Sequence, residues 1–141
     1  MGTRRKMGMK GVIRHRTSYG LCNGSRIQIA DNSGAKIAEI INVDGYRGRL
    51  RRLPKATVGS VCTVTVKKGK PEMRGNIMKA VIVRQKMIIR RLDGSRIKFE
   101  DNAGVLISKE GDPKGTEVRG PIAREAADLF PRLASISSLI I

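Results

Sequence analysis

The chain of 141 residues is long enough for one domain with a modest core. It carries 29 Lys and Arg against 12 Asp and Glu, a net charge of +17 that repels itself unless something negative is bound. One histidine and two cysteines, Cys22 and Cys62, give neither a zinc spacing nor a disulfide framework and fit a reducing compartment, and the longest apolar runs, such as Ala80 to Val83, are far too short to span a membrane. The four aromatics, Tyr19, Tyr46, Phe99 and Phe130, are too few for a platform that stacks unpaired bases, so phosphate contact to folded or duplex nucleic acid is favoured. The charge is uneven. Residues 1 to 100 hold 24 basic and 6 acidic side chains, and residues 101 to 141 hold 5 and 6. The first part reads as a polyanion-binding body and the second as a segment that packs or touches protein.

Met1 to Gly24 reads as a basic, glycine-rich arm without regular structure of its own, or as a solubilising tail. No apolar segment of a secretory signal follows its charges, and Gly2, Gly8, Gly11 and the want of an amphipathic period argue against a mitochondrial presequence. Lys6 stands where a myristoylation site needs Ser or Thr. Ser25 to Ala30 and Ala35 to Val43 alternate as strands, separated by Asp31-Asn32-Ser33-Gly34, whose side chains bond their own backbone in turns.

Asp44 to Lys55 is a loop carrying Arg47, Arg49, Arg51, Arg52 and Lys55, five like charges that repel one another unless neutralised, which points to phosphate contact. Its Gly45-Tyr46-Arg47-Gly48 matches a bare GXXG, but that module sits between helices and the surroundings here are β-rich. Ser60 to Lys68 is a further strand. Lys67 to Gly75 is a second basic turn through which no P-loop pattern can be drawn.

Met78 to Lys86 is the next strand and leads into a hairpin. Asp93-Gly94 between β-branched runs predicts a two-residue type I′ turn. Leu92 then pairs with Ser95, Arg91 with Arg96, Arg90 with Ile97, Ile89 with Lys98 and Ile88 with Phe99. One face would carry Ile88, Leu92, Ile97 and Phe99; the other would carry Arg91, Arg96 and Lys98 around Ile89, either for a polyanion or as a solvated face with splayed arginines. Arg90, on the apolar face, fits neither. Asp101-Asn102-Ala103-Gly104 repeats the turn chemistry of Asp31 to Gly34. Five to seven short strands indicate a small barrel or sandwich, and closure would leave fewer exposed edges. After a loop over Asp112 to Gly120, Pro121 at a first-turn position with Ile122, Ala126 and Leu129 at helical spacing predicts a short amphipathic helix that Pro131 stops, with a further turn of helix around Arg132 to Ser135. No Cys-His pair, metal cluster or paired carboxylates suggest an enzyme, a cofactor or a small-molecule substrate.

Four motifs in order carry a resemblance: Ala30-Asp31-Asn32-Ser33-Gly34-Ala35; Lys79 to Arg84 (KAVIVR); Arg90 to Ser95 (RRLDGS) with Ile97 to Ala103 (IKFEDNA); and Gly115 to Glu125 (GTEVRGPIARE). From about Gly20 onward the chain resembles the universal large-subunit ribosomal protein number fourteen family. Leu50 to Pro54, Lys67 to Arg74 and Asp128 to Ser135, together with the basic extension, resemble its archaeal and eukaryotic branch. The resemblance implies a mainly β fold, a small closed five-stranded barrel (residues 25 to 110) behind the basic arm (1 to 24), with a loop and short helices (111 to 141) packed on it. It implies a cytoplasmic, ribosome-bound protein on large-subunit rRNA that reaches small-subunit rRNA in intersubunit bridges. It further implies neighbours in large-subunit ribosomal proteins three and twenty-four e, and a surface for a subunit anti-association factor. Candidate RNA contacts are Arg26, Asn32, Ser33, Lys36, Arg47, Arg49, Arg51, Arg52, Lys55, Lys67, Lys68, Lys70, Arg74, Arg84, Arg91, Arg96 and Lys98. Candidate protein contacts are Arg119, Ile122, Arg124, Phe130 and Arg132. Without the resemblance, a free regulatory or chromatin-like nucleic-acid binder remains open.

Overall fold

The structure is a computed structural model and describes residues 17–141; of the arm expected over Met1 to Gly24, residues 1–16 lie outside the described residues. In chain order the elements are β1 (Leu21–Cys22), β2 (Arg26–Ile29), β3 (Ala35–Val43), β4 (Lys55–Ala56), β5 (Val61–Gly69), β6 (Ile77–Arg84), β7 (Ile89–Arg90), β8 (Arg96–Ile97), β9 (Ala103–Ile107), β10 (Val118–Ile122), α1 (Arg124–Leu129), α2 (Pro131–Ile136) and β11 (Ser137–Ile140). The expected mainly β fold is present, with a closed barrel in the order β2-β3-β5-β6-β9 and two short C-terminal helices.

The barrel follows from alternation. In β2, Ile27 and Ile29 are buried while Arg26 and Gln28 face solvent, and Ala38 and Ile40 of β3 and Val64 and Val66 of β5 continue the same inner layer. Each successive pair from β2 to β9 is antiparallel, so after four reversals β9 runs in the direction of β2. Closure therefore needs a parallel pair, Gln28↔Ala103 and Ile29↔Gly104. The second half of β6 and all of β9 are buried without alternation, and β10 and α1 pack against β6. Ala103 and Gly104, read from sequence as turn residues, are thus strand residues. Gly104 sits where a Cβ would meet Ile27 at 2.9 Å and the Val81 carbonyl at 3.1 Å.

The C-terminal segment departs from the sequence reading at both ends. Pro121 and Ile122 lie in β10 and not in a helix, since the Ala123 N–H donates to the Val83 carbonyl at 3.0 Å and Ala123 is extended. Helix α1 starts only at Arg124; Pro131 follows it and opens α2. The apolar end then returns as β11 in parallel beside β10, with Val118↔Ser137, Pro121↔Leu139 and Ile122↔Ile140, a pairing that local pattern does not announce.

Arg84 ties this segment to the barrel. The residue is 8% exposed, and its guanidinium donates from Nε and Nη2 to both Asp101 oxygens at 2.9 and 3.0 Å, and from Nη1 to the carbonyls of Arg119 and Pro121, both at 2.9 Å. A fork that reaches a carboxylate and two carbonyls at once is specific to arginine. Arg84→Met should lower the unfolding free energy by about 3–5 kcal/mol, since Asp101 and two carbonyls lose their donors, and Arg84→Lys should recover little of it. Urea denaturation of the two variants measures both effects. Cys62 is fully buried, and burial pushes its thiol from 9.0 up to about 12, with Asp44 adding to the rise. The unfolded thiol ionises first, so its share of stability is intact below pH 9.0 and is lost between there and about 12. Across that alkaline window the wild type should lose more stability in urea titrations than Cys62→Ala.

Candidate nucleic-acid interface

The β3–β5 ladder runs from Val43↔Cys62 at one end to Ala35↔Gly69 at the other, so the loop after Val43 and the turn after Gly69 leave opposite ends of the barrel. The two basic stretches are therefore separate surfaces.

The first loop is anchored at its base and free at its tip. The Asp44 N–H donates to the Val61 carbonyl at 2.9 Å, and the Asp44 carboxylate meets Lys79 Nζ at 2.5 Å. On the return, the Asn23 N–H donates to Pro54 at 3.2 Å and Lys55 pairs with Cys22. Tyr46 lies half-buried against the core, and Gly48 sits on its ring with no room for a Cβ. A four-residue turn follows, closed by the Arg52 N–H to the Arg49 carbonyl at 3.1 Å. Arg51, its third residue, has φ 66, the position that a type II turn reserves for glycine or asparagine, and it is the one left-handed non-glycine residue among those described. The left-handed backbone costs roughly 1–2 kcal/mol for a residue with a Cβ. Arg47, Arg49, Arg51, Arg52 and Lys55 are all exposed, and among the described residues none has an acidic partner within ion-pairing distance.

At the opposite end the Asp31 to Gly34 turn and the Lys70 to Asn76 turn meet. The Lys70 N–H donates to the Gly34 carbonyl at 3.0 Å, and the Lys70 stem runs over Gly34, where a Cβ would come within 2.8 Å of it. Lys36, Lys68, Lys70 and Arg74 are exposed here. Asn32 and Ser33 are engaged within the protein: Asn32 receives the Thr116 N–H at 2.9 Å and donates to its hydroxyl at 2.8 Å, and the Ser33 hydroxyl donates to Asp31 at 2.5 Å. On the barrel wall, Arg26 and Lys67 share Glu39 at 3.5 and 3.9 Å, so part of their charge is already balanced.

The hairpin differs from its sequence reading by one residue. Ile89 pairs with Ile97 and Arg90 with Arg96, while the Arg91 N–H donates to the Ser95 carbonyl at 2.9 Å and the Gly94 N–H to the Arg91 carbonyl at 3.1 Å. Only Gly94 takes positive φ, so the connection is a three-residue loop with a glycine bulge and not a type I′ turn. The Ser95 N–H and hydroxyl both donate to Asp93, holding its carboxyl below its usual range and fixing this shape. The one-residue slip turns the first strand over, while Ile97 and Phe99 stay inward and Arg96 and Lys98 outward as expected. Ile89 is buried, Leu92 is 83% exposed, and Arg90, which had no place before, stands opposite Arg96 on the solvent side with Lys98 exposed nearby in sequence.

Arg91 turns inward. It donates from Nε to Glu125 Oε1 at 2.8 Å, from Nη2 to Oε2 at 3.3 Å, and from Nη2 to the Ile141 carbonyl at 2.7 Å. The bond to Glu125 raises its pKa further despite the opposing cost of burial. Arg84, as shown above, is likewise committed to internal partners. Of the candidate protein contacts, Ile122 and Phe130 are buried in the core; Arg119 and Arg124 are exposed, and Arg132 is exposed and paired with Asp112. Sequence reasoning missed Gln85, which is fully buried and donates to Ser18 at 2.9 Å, fixing where the arm leaves the barrel. Set between Arg84 and Lys86, it gave no signal of burial in the sequence.

Residues 20–141 match the family model described as ribosomal protein L14p/L23e. The chain is 53% identical over 118 residues to the large ribosomal subunit protein uL14 of Nitrosopumilus maritimus, covering 84% of each chain. It is 46% identical over 126 residues to the protein of the same name from Methanoregula boonei, covering 89% of this chain and 96% of that one.

The Arg91–Glu125 pair is 17% and 18% exposed and latches the basic hairpin onto α1. Glu125→Gln should cost about 1–3 kcal/mol, between a surface and a buried ion pair. Hydrogen exchange should locate the loss, with faster exchange of the hairpin amides and no change in β5.

Proposed function

The chain belongs to the ribosomal protein L14p/L23e family, and from that premise we propose that it is a structural constituent of the large ribosomal subunit that holds rRNA through its basic barrel ends. The observation that carries this reading is the anchored loop over residues 45–54, whose cations are held outward on a fixed base without acidic partners among the described residues. Phosphates are the partners such a surface lacks, and each one neutralised releases counterions, which makes binding salt-dependent. Lys36, Lys68, Lys70 and Arg74 at the opposite end, and Arg90, Arg96 and Lys98 on the hairpin, form the remaining proposed RNA surfaces. Arg84 and Arg91 serve the fold in this reading, and Arg26 and Lys67 contribute as partly balanced wall charges.

Two separate basic ends suit a protein between two RNA segments. This supports a seat on large-subunit rRNA at one end and an intersubunit bridge to small-subunit rRNA at the other. The less charged C-terminal segment, with Arg119, Arg124 and Arg132 at its surface, is the proposed contact for large-subunit ribosomal proteins three and twenty-four e and for the subunit anti-association factor. The protein would then be cytoplasmic and ribosome-bound, with no catalytic step. A free regulatory nucleic-acid binder is the competing reading.

Replacing Arg49, Arg51 and Arg52 together by Ala should weaken binding to large-subunit rRNA and flatten the dependence of log affinity on log salt by about 2 to 3, one counterion term per phosphate. An unchanged slope would remove the loop from the interface. Sedimentation of the tagged protein at low magnesium separates the two functional readings: comigration with the large subunit supports the ribosomal one, and a peak at the top of the gradient supports the free binder.

A further inference from the structure

The same loop carries two side chains that its charge does not explain. Leu50 is 87% exposed and Leu53 is 60% exposed, within a turn held at both feet. Leu50 is the second residue of the Arg49–Arg52 turn, and the left-handed Arg51 directly after it fixes the course of the chain at the tip. Single exposed leucines are ordinary on protein surfaces. Two of them interleaved with three arginines on one hydrogen-bonded turn are less so, because whatever the guanidiniums dock against must also meet the leucines. Glycine at position 51 would make the same turn without strain, yet an arginine stands there and places a third guanidinium beside Leu50.

We infer that this loop is a mixed wedge: Arg49, Arg51 and Arg52 seat on phosphates while Leu50 and Leu53 press on the apolar sugar and base faces of the same RNA. Charge complementarity selects the occupant, since an apolar pocket on a protein would have to be ringed by carboxylates to accept the flanking arginines. RNA supplies both surfaces together. Its minor groove is wide and shallow, displaying sugars and base edges beside the phosphate rows, and leucine is among the side chains that nucleic-acid binders insert against bases. The inference rests on the rRNA-binding reading above and adds a component of affinity that salt does not screen.

The test is equilibrium binding of the full chain to deproteinised large-subunit rRNA across a salt series. Leu50→Ser/Leu53→Ser is compared with the triple arginine variant, and Leu50→Met/Leu53→Met serves as the conservative control. The serine variant should lose at least about tenfold in affinity by the same factor at every salt concentration, with an unchanged slope, whereas the arginine variant flattens the slope. Methionine should restore most of the loss. Both leucines are exposed, so thermal melting should not move. Unchanged affinity of the serine variant beside a flattened arginine variant overturns the wedge and leaves the rRNA reading intact. A flattened slope in the serine variant also overturns it, because the leucines would then act only by placing arginines. Unchanged affinity for free rRNA with loss of comigration with the intact subunit assigns the leucines to a protein, again overturning the wedge. If the arginine variant too is unchanged, the loop is not on RNA and the reading beneath the inference fails with it.

Discussion

Closure of a barrel from an odd number of strands is the constraint from which the rest of the architecture follows. Five strands joined by antiparallel pairings bring β9 back parallel to β2, and the pair that seals the cylinder spans only two residue pairs. Side chains extend it where backbone leaves off. As the chain turns away after Ala30, the Asp31 carboxylate takes the Leu106 N–H at 2.9 Å, in effect adding a rung to the seam. At the other end of β9 the Arg84–Asp101 fork holds the strand's approach and clamps β10 over it. The Asp31 and Asp101 carboxylates are thus both engaged in holding the barrel closed.

The acidic residues explain how a chain of net charge +17 folds at all. Glu39 stands between Arg26 and Lys67, Asp44 against Lys79, Asp101 against Arg84 and Glu125 against Arg91. These partners lie on or against the packed body, where like charges would be closest and least screened. The surplus is displaced to loops and to the hairpin, where solvent moderates it until a polyanion arrives. Stability and the proposed binding thus draw on different subsets of the same residue type, and membership of a subset depends on the neighbour and not on the residue.

That division marks how far the sequence could be read. The barrel strands were legible because alternation is local: Ala35–Val43 was predicted with both boundaries as observed, and the strands around Ile27, Val64 and Val81 to within a few residues. Charge in the loop over residues 45–54 was legible because nothing nearby in sequence could neutralise it. Arg84 and Arg91 were not separable from the exposed arginines, since their partners lie 17 and 34 positions away. The hairpin shows the finer limit. Asp-Gly is the usual mark of a two-residue turn, but Asp93 accepts two bonds from Ser95 and stays out of the left-handed region, and the loop is one residue longer, which turns the first strand over and leaves the second as expected. The parallel β10–β11 pair escaped for a related reason: its strands are joined through two helices, and Pro121 offers a helix start that Ala123 refuses by bonding to Val83.

Rigidity decides what the exposed groups can do. A basic loop that was merely flexible would bind phosphates loosely, losing side-chain and backbone freedom on contact. Here that ordering precedes binding: Asp44, Tyr46 and Lys55 hold the feet of the loop, and the Arg49–Arg52 bond shapes its tip. Arg51 carries part of the cost in its left-handed backbone, roughly 1–2 kcal/mol spent in the free protein. In the function proposed, preorganisation of this kind would let a small domain with few aromatics hold two RNA segments at a set spacing, because a closed barrel separates its basic ends. The function proposed for the chain is therefore a property of the spacing between charges as much as of the charges themselves.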